Sequence, residues 1–257
     1  MTKILKSVLA SRLALVFKHN LIDCRHIYTK FMFRTPNIIT LVNLFSGCLA
    51  VLFLFQKDLT AVLFCLGVCL LADFLDGFVA RLLKSYSDMG KELDSLADMV
   101  SFGLLPGFML FYMLQDGDFN TITWQGAAGF ILTLFAALRL AKFNIDTRQS
   151  ESFLGMPVPS ATLFIAGLLL IYRSQPDSIL FAWQSLLAMG LVISILMVSD
   201  LPMFSLKFKG YSWKGNEIRY IFIIFAVAMF VLLRDYSLSV VIAAYTLYSL
   251  VKHLLKK

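Results

Sequence analysis

Four aspartates, an arginine and three small residues recur at fixed spacing in one stretch of the chain. They are Asp73, Asp76, Gly77, Ala80, Arg81, Gly90, Asp94 and Asp98, in the run DFLDGFVARLLKSYSDMGKELDSLAD. Asp73 and Asp76 are i, i+3 neighbours and Asp94 and Asp98 are i, i+4. On a helix each pair therefore shares one face, with Cβ atoms roughly 5–6 Å apart. Gly90 sits one turn before Asp94 on that same face. Two antiparallel helices joined through the short connection LLKSYSDMGKEL would aim all four carboxylates at one point. Charges of like sign held there repel, and divalent cations are the simplest remedy. A donor set made only of oxygens suits Mg²⁺ or Mn²⁺ better than Zn²⁺. Asp88 lies off the pattern and reads as a solvated residue. Gly77 and Ala80 bare the backbone between the aspartates, so a bulky diphosphate can approach, and Arg81 at the helix end can grip phosphate oxygens. Small residues by themselves are explained equally well by close helix packing. Four carboxylates in register with them are not.

The elements that hold these residues are membrane helices. Of 257 residues, 59% are hydrophobic and 15% charged, against roughly 45–50% and 25% in soluble domains. The mean hydropathy is +0.80. Apolar runs approaching the roughly 20 residues that cross a bilayer recur at about 38–56, 60–83, 95–114, 124–143, 159–173, 179–198, 219–234 and 236–252. The expected fold is all-α: a polytopic membrane protein of about eight transmembrane helices, preceded by an N-terminal amphipathic helix. Strand periodicity, internal repeats and linkers are absent from the sequence. It divides into a basic segment, 1–35, and one membrane domain, 36–257. The segment mixes Lys3, Lys6, Arg12, Lys18, Arg25, Lys30 and Arg34 with Ile4, Leu5, Leu9, Leu13 and Val16. That mixture suits an interfacial helix better than a secretory signal, whose apolar stretch Arg12 would interrupt.

With eight spans both termini lie on one side. The segments on that side carry 20 of the 23 Lys and Arg residues, and only Lys57, Arg173 and Arg234 fall on the other. Lys/Arg excess marks the cytoplasmic face, so the aspartate hairpin is expected to open toward the cytoplasm from the inner membrane. The net charge of +7 then reflects topology and attraction to anionic membrane lipids. It does not indicate nucleic acid, since no aromatic-basic module accompanies it.

Cys24, Cys48, Cys65 and Cys69 form no redox or zinc framework, and Cys65 and Cys69 read as small packing residues. His19, His26 and His253 lie outside the apolar runs, so a catalytic histidine is not expected. Arg139 and Lys142 end the fourth span on the aspartate side, where a cation could pair with an acceptor carboxylate or simply snorkel. Asn37 and Thr40 open the first span there, to contact a nucleotide or to cap the helix. Gly103 and Gly107 could form a dimer face, or the intervening Pro106 a kink.

The pattern D-x2-D-G-x2-A-R-x8-G-x3-D-x3-D resembles the signature of the CDP-alcohol phosphatidyltransferase family, with every fixed position present. The stretches 35–51, 93–106, 138–161 and 200–207 resemble those of its serine-accepting members, although GMPVPSA departs slightly from the usual small-residue form. The resemblance implies transfer of a phosphatidyl group from CDP-diacylglycerol to L-serine with release of CMP. It implies metal ligation by Asp73, Asp76 and Asp94, with Asp98 as ligand or general base. It also implies a CDP cradle of Gly77, Ala80, Arg81 and Gly90, two divalent ions (Mg²⁺ or Mn²⁺) and a homodimer. The family often begins near the Pro-Asn of the first span, so residues 1–35 are a departure. The same chemistry could serve inositol phosphate, glycerol phosphate or choline. A cation transporter is the rival from another class, and it would predict repeats and broken helices that the sequence lacks.

Overall fold

In the computed structural model, residues 35–146, 154–204, 212–213 and 215–255 are described. They form helices α1 (Thr35–Phe55), α2 (Leu59–Leu82), α3 (Asp88–Asp98), a π-helical segment (Met99–Leu104), α4 (Leu105–Leu114), α5 (Trp124–Ala128), α6 (Ile131–Ile145), α7 (Val158–Ser174), α8 (Trp183–Val198), α9 (Glu217–Leu233) and α10 (Ser237–Leu254). No strand occurs among the described residues; Leu154 and Pro202 form an isolated bridge. The expected N-terminal amphipathic helix lies outside the described residues.

Local chemistry starts these helices where the sequence changes character. Asp58 caps α2 by accepting from the Ala61 amide at 3.0 Å, Ser87 caps α3 through the Gly90 amide at 3.0 Å, and Thr123 caps α5 through the Gly126 amide at 3.1 Å. Each satisfies an amide that the first helical turn leaves without a partner.

The expected eight spans are all present as apolar helices. α3, the π segment and α4 run on as one 27-residue span, Asp88–Leu114, whose second half is almost wholly buried, and it is the centre of the bundle. Residues 217–254 are predominantly apolar but fold back at Arg234, which has φ 43°. The Phe222 and Tyr245 rings lie 5.9 Å apart, whereas a straight helix would separate them by about 34 Å. α9 buries no residue in the protein, and its exposed Ile221, Ile224, Val227 and Val231 suit contact with lipid. α7 and α8, at 17 and 16 residues, reach only about 25 Å, so the bilayer must thin or the helices stand nearly upright.

The two ends of the bundle differ in chemistry. At one end Lys142 pairs with Asp200 at 2.8 Å, Lys91 reaches the Asn144 carbonyl at 3.0 Å, and Arg219 and Lys252 flank the Phe204 ring. At the other, Arg173 donates to Thr60 at 3.2 Å, and exposed Trp124 and Trp183 pack edge to face, as interfacial aromatics do. There the Asn120 amide and the Thr121 hydroxyl hold the Asp118 carboxyl below the ordinary carboxylate range.

The π segment directly follows Asp98, and its causes can be traced. Pro106 has no amide hydrogen for the Phe102 carbonyl four residues earlier, and the Thr162 hydroxyl donates there instead at 2.8 Å. Thr133 serves the Gly103 carbonyl at 2.9 Å. The disturbance expected at Pro106 therefore takes the form of a wide turn fixed by two hydroxyls. Gly103 and Gly107 do not form an outer dimer face. A Cβ on Gly107 would strike Thr133 Oγ1, and one on Gly103 would press on Met99 and Ala136. Both glycines serve packing against α6 within the chain.

On the opposite side of this segment, α1 approaches closely at Gly47, where a Cβ would stand 3.0 Å from Ser101 Cα. A backbone atom cannot yield as a side chain can, so Gly47→Ala should cost about 1–3 kcal/mol through overpacking. The expected result is a lower unfolding temperature in detergent together with reduced activity. An unchanged midpoint would show that α1 has room to move.

Candidate active site

The hairpin of α2 and α3 brings together three of the four carboxylates that the spacing aims at one point. Asp73 and Asp76 come from the second half of α2, Asp94 from the middle of α3, and their carboxylate oxygens lie within 4.8 Å of one another. That span is close to twice a metal–oxygen bond of roughly 2.1–2.4 Å. Asp76 is buried, and Asp73 and Asp94 are half-buried. Among the described residues no Lys or Arg forms an ion pair with any of the four patterned aspartates; the salt bridge found is Lys142–Asp200. Asp94 Oδ1 is buried without a hydrogen-bond partner, which normally costs about 1–3 kcal/mol. A hard divalent cation meets every one of these conditions, so the residues present fit such an ion. Asp98 stands apart from the three-carboxylate group, one turn deeper, yet close enough for the charges of Asp73, Asp94 and Asp76 to act on it.

Helix α1 supplies one donor to each arm of the hairpin. The Thr40 hydroxyl donates to Asp76 Oδ2 at 2.6 Å, and Asn43 Nδ2 donates to Asp98 Oδ1 at 3.3 Å. Asn37, Thr40, Asn43 and Ser46 are all buried, forming a polar stripe at spacing three along a helix that otherwise faces lipid and core.

Beside the carboxylates opens a cavity of about 210 Å³ lined by Asn37, Thr40, Asp76, Gly77, Ala80, Gly90 and Asp94, with Ser85, Tyr86, Ser87 and Lys91 at its rim. A Cβ on Gly77 would meet nothing within 4 Å, while one on Gly90 would crowd Asn37 and Ser87 at 3.1 Å. Gly77 thus leaves space for a ligand, and Gly90 lets α3 close against α1.

Five of the expected substrate-binding residues, Asn37, Thr40, Gly77, Ala80 and Gly90, line this cavity. Arg81 is exposed beside it. Arg139 is buried, its guanidinium 4.8 Å from the centroid of the Phe143 ring, with Nε unpartnered, and its charge acts on Asp98. Lys142 directs its ammonium to the Val198 carbonyl and Asp200, each at 2.8 Å, tying α6 to the end of α8. Sequence reasoning passed over Asn43, Lys91 and the Ser85–Ser87 turn. The signal for Asn43 was available, three residues after Thr40 in an apolar run. Nothing in the sequence marks which way the turn folds.

The profile of the CDP-alcohol phosphatidyltransferase family matches residues 33–198. The chain belongs to that family. It is 30% identical to the CDP-diacylglycerol–serine O-phosphatidyltransferase of Helicobacter pylori strain J99, over 84% of this chain and 90% of that one. It is 34% identical to the Bacillus subtilis strain 168 enzyme of the same name, over 65% and 87%. It is also 29% identical to an archaetidylserine synthase of Methanothermobacter thermautotrophicus, over 65% and 67%. In this phosphatidyltransferase the acidic group and the cavity sit together on the α2–α3 hairpin, at the end of the bundle richest in Lys and Arg.

Substituting Asp73→Asn or Asp94→Asn removes a ligand charge while preserving shape. Turnover should fall below detection and Mn²⁺ binding, followed by electron paramagnetic resonance, should weaken, with the chain still inserted and folded. Near-normal turnover at ordinary metal concentration would strike these residues from the site.

Proposed function

We propose that this chain transfers the phosphatidyl group of CDP-diacylglycerol to the hydroxyl of L-serine, yielding phosphatidylserine and CMP. The observation that carries this reading is the convergence of Asp73, Asp76 and Asp94 at the wall of a small-residue cavity, with no cation among the described residues to neutralise them. The names of the relatives point to the same acceptor.

In this reading Gly77, Ala80 and Gly90 seat the diphosphate, Arg81 grips its outer oxygens, and Asn37 and Thr40 face the nucleotide side. Asp73, Asp76, Asp94 and Asp98 would hold Mg²⁺ or Mn²⁺, two ions in all. When bound, such ions neutralise the diphosphate and stabilise the oxygens of an in-line displacement. Asp98 accepts the proton of the serine hydroxyl, whose oxygen forms the new bond to phosphorus as the bond to the CMP oxygen breaks. Arg139, beside Asp98, takes the serine carboxylate. Lys142 borders that space and holds the chain at 198–200 in place. A polyanionic acceptor would call for several uncommitted cations here, whereas Lys142 and Lys91 already have partners.

The Lys and Arg bias supports a cytoplasmic site and cytoplasmic termini in the inner membrane, which is where a nucleotide-linked substrate is met. Residues 1–35 would rest on anionic lipid ahead of the membrane domain 36–257, and the working form would be a homodimer.

The decisive experiment incubates purified chain with CDP-diacylglycerol and Mn²⁺, with serine, inositol phosphate, glycerol phosphate or choline as acceptor. CMP release that depends on serine supports the reading; release with another acceptor replaces it. Two variants then separate roles. Arg139→Ala should raise the apparent KM for serine about tenfold or more, as a charged hydrogen bond of roughly 1.5–3 kcal/mol implies, with CDP-diacylglycerol binding kept. Asp98→Asn should cut turnover by about 10²–10⁴-fold and leave that binding largely intact. If binding and turnover fall together, Asp98 is chiefly a metal ligand.

A further inference from the structure

A second cavity, of about 200 Å³, lies away from the aspartates, between the start of α7 and the helices α9 and α10. Among its lining residues are Pro157 and Ser160 of α7, Phe222 of α9, Ile242 and Tyr245 of α10, and Phe204. The lining is mostly apolar. The Tyr245 hydroxyl is already committed, donating to the Phe204 carbonyl at 2.8 Å. The Phe204 amide donates to Ser249 Oγ at 3.1 Å, so α10 fixes this wall at two positions. Phe204, Phe222, Ile242 and Tyr245 all lie beyond residue 198, where the family profile ends. The cavity is therefore built largely by helices outside the profile-matched core.

Two cations stand on one side of it. Arg219 is three residues before Phe222 on α9, and Lys252 is seven after Tyr245 on α10. At those spacings each cation shares the face of its cavity residue. Each is displaced toward the Lys- and Arg-rich end of the bundle, by about 5 and 10 Å along its helix. Both sit against the Phe204 ring, 5.8 and 5.4 Å from its centroid. Arg219 is held in place by the Gly215 carbonyl and Asn216 Oδ1, at 3.0 and 3.1 Å. Lys252 lies near the Phe204 and Tyr248 rings and pairs with no carboxylate among the described residues. In sequence, 205–219 and 252–257 carry seven Lys and Arg residues against one acid, Glu217. The Glu217 carboxylate accepts from the Gly215 amide at 2.9 Å.

An apolar cavity with cations at one margin complements an amphiphile with an anionic head. Basic pockets between membrane helices bind lipid head groups in this way. One wall, α9, buries no residue in the protein, so the site borders lipid. A soluble anion would gain nothing from Phe222 and Ile242, and a zwitterionic lipid would gain less from Lys252. We propose that this cavity binds one anionic phospholipid of the surrounding bilayer, with an acyl chain against Phe204, Phe222 and Ile242 and the phosphate at Lys252 and Arg219. The site is separate from the aspartate hairpin and does not depend on which alcohol accepts the phosphatidyl group.

The test titrates the purified full chain in detergent with dioleoyl phosphatidylglycerol or dioleoyl phosphatidylcholine and follows the complexes by native mass spectrometry. One phosphatidylglycerol should be retained per chain, about fivefold or more tighter than phosphatidylcholine, the factor that a single cation beside an anionic lipid supplies. Lys252→Gln should weaken phosphatidylglycerol by about the same fivefold, and Lys252→Arg should keep it. Ile242→Trp fills the cavity and should abolish retention of both lipids. Glycerophosphoglycerol, the same head group without acyl chains, should fail to displace the lipid at about hundredfold excess, because chain burial is lost. If Ile242→Trp fails to fold, the Lys252 variants and the competition carry the test. Equal retention of the two lipids, an unchanged phosphatidylglycerol affinity in Lys252→Gln, or unchanged retention in a folded Ile242→Trp overturns the proposal. Displacement by glycerophosphoglycerol also overturns it and makes the site one for a soluble anion.

Discussion

Placing carboxylates in a membrane bundle is the constraint on which the rest of this structure depends. One such group at the bilayer centre costs roughly 2.5–3.5 kcal/mol on insertion scales, and this hairpin carries four of them without a cation in pairing distance among the described residues. The bundle tolerates them in three ways. They lie toward one end, beside a cavity. Two of them receive hydrogen bonds from α1. Three of them converge closely enough to share a cation. A fold that met this constraint with lysines or arginines would have filled the same space with its own charges and left no binding site for a metal and a diphosphate.

The support behind the site is as specific as the site itself. The π segment begins at the residue after Asp98. A wide turn rotates the downstream residues relative to a regular helix, so the apolar core residues Phe102, Leu105 and Met109 can pack inward while Asp94 and Asp98 face α1 and α2. Thr162 and Thr133 keep the freed carbonyls satisfied, which makes the distortion tolerable in a medium without water. Gly47 lets α1 come close enough for its polar stripe to reach the carboxylates. Each of these residues lies away from the reacting groups, and each sets where one of them points.

Phosphatidyl transfer to serine needs two unlike substrates at one place, a lipid that arrives through the bilayer and a small zwitterion that arrives through water. Shallow placement of the cavity at the charged end of the bundle serves both. Exposed apolar side chains such as Phe74, Phe78 and Leu82 on α2 present a lipid-facing surface next to Gly77 and Ala80. The buried guanidinium of Arg139 lies on the inner side, next to Asp98.

Most of this was legible in the chain alone, because it rests on short-range periodicities. Hydropathy runs gave the eight helices, since a bilayer demands continuous apolar length. Spacings of three and four put Asp73 with Asp76 and Asp94 with Asp98, since helix geometry permits little else. Lys and Arg counts gave a charged end, since crossing segments alternate. Tertiary structure decided what depends on contacts far apart in sequence. Asn43 met Asp98, 55 residues away. Lys142 met Asp200 rather than open space. The small pair Gly103 and Gly107 turned inward to α6 rather than outward. A residue's type and its neighbours on one helix say what it can bond. Only the packing of separate helices decides which of those bonds is made, and which atom is left for a ligand.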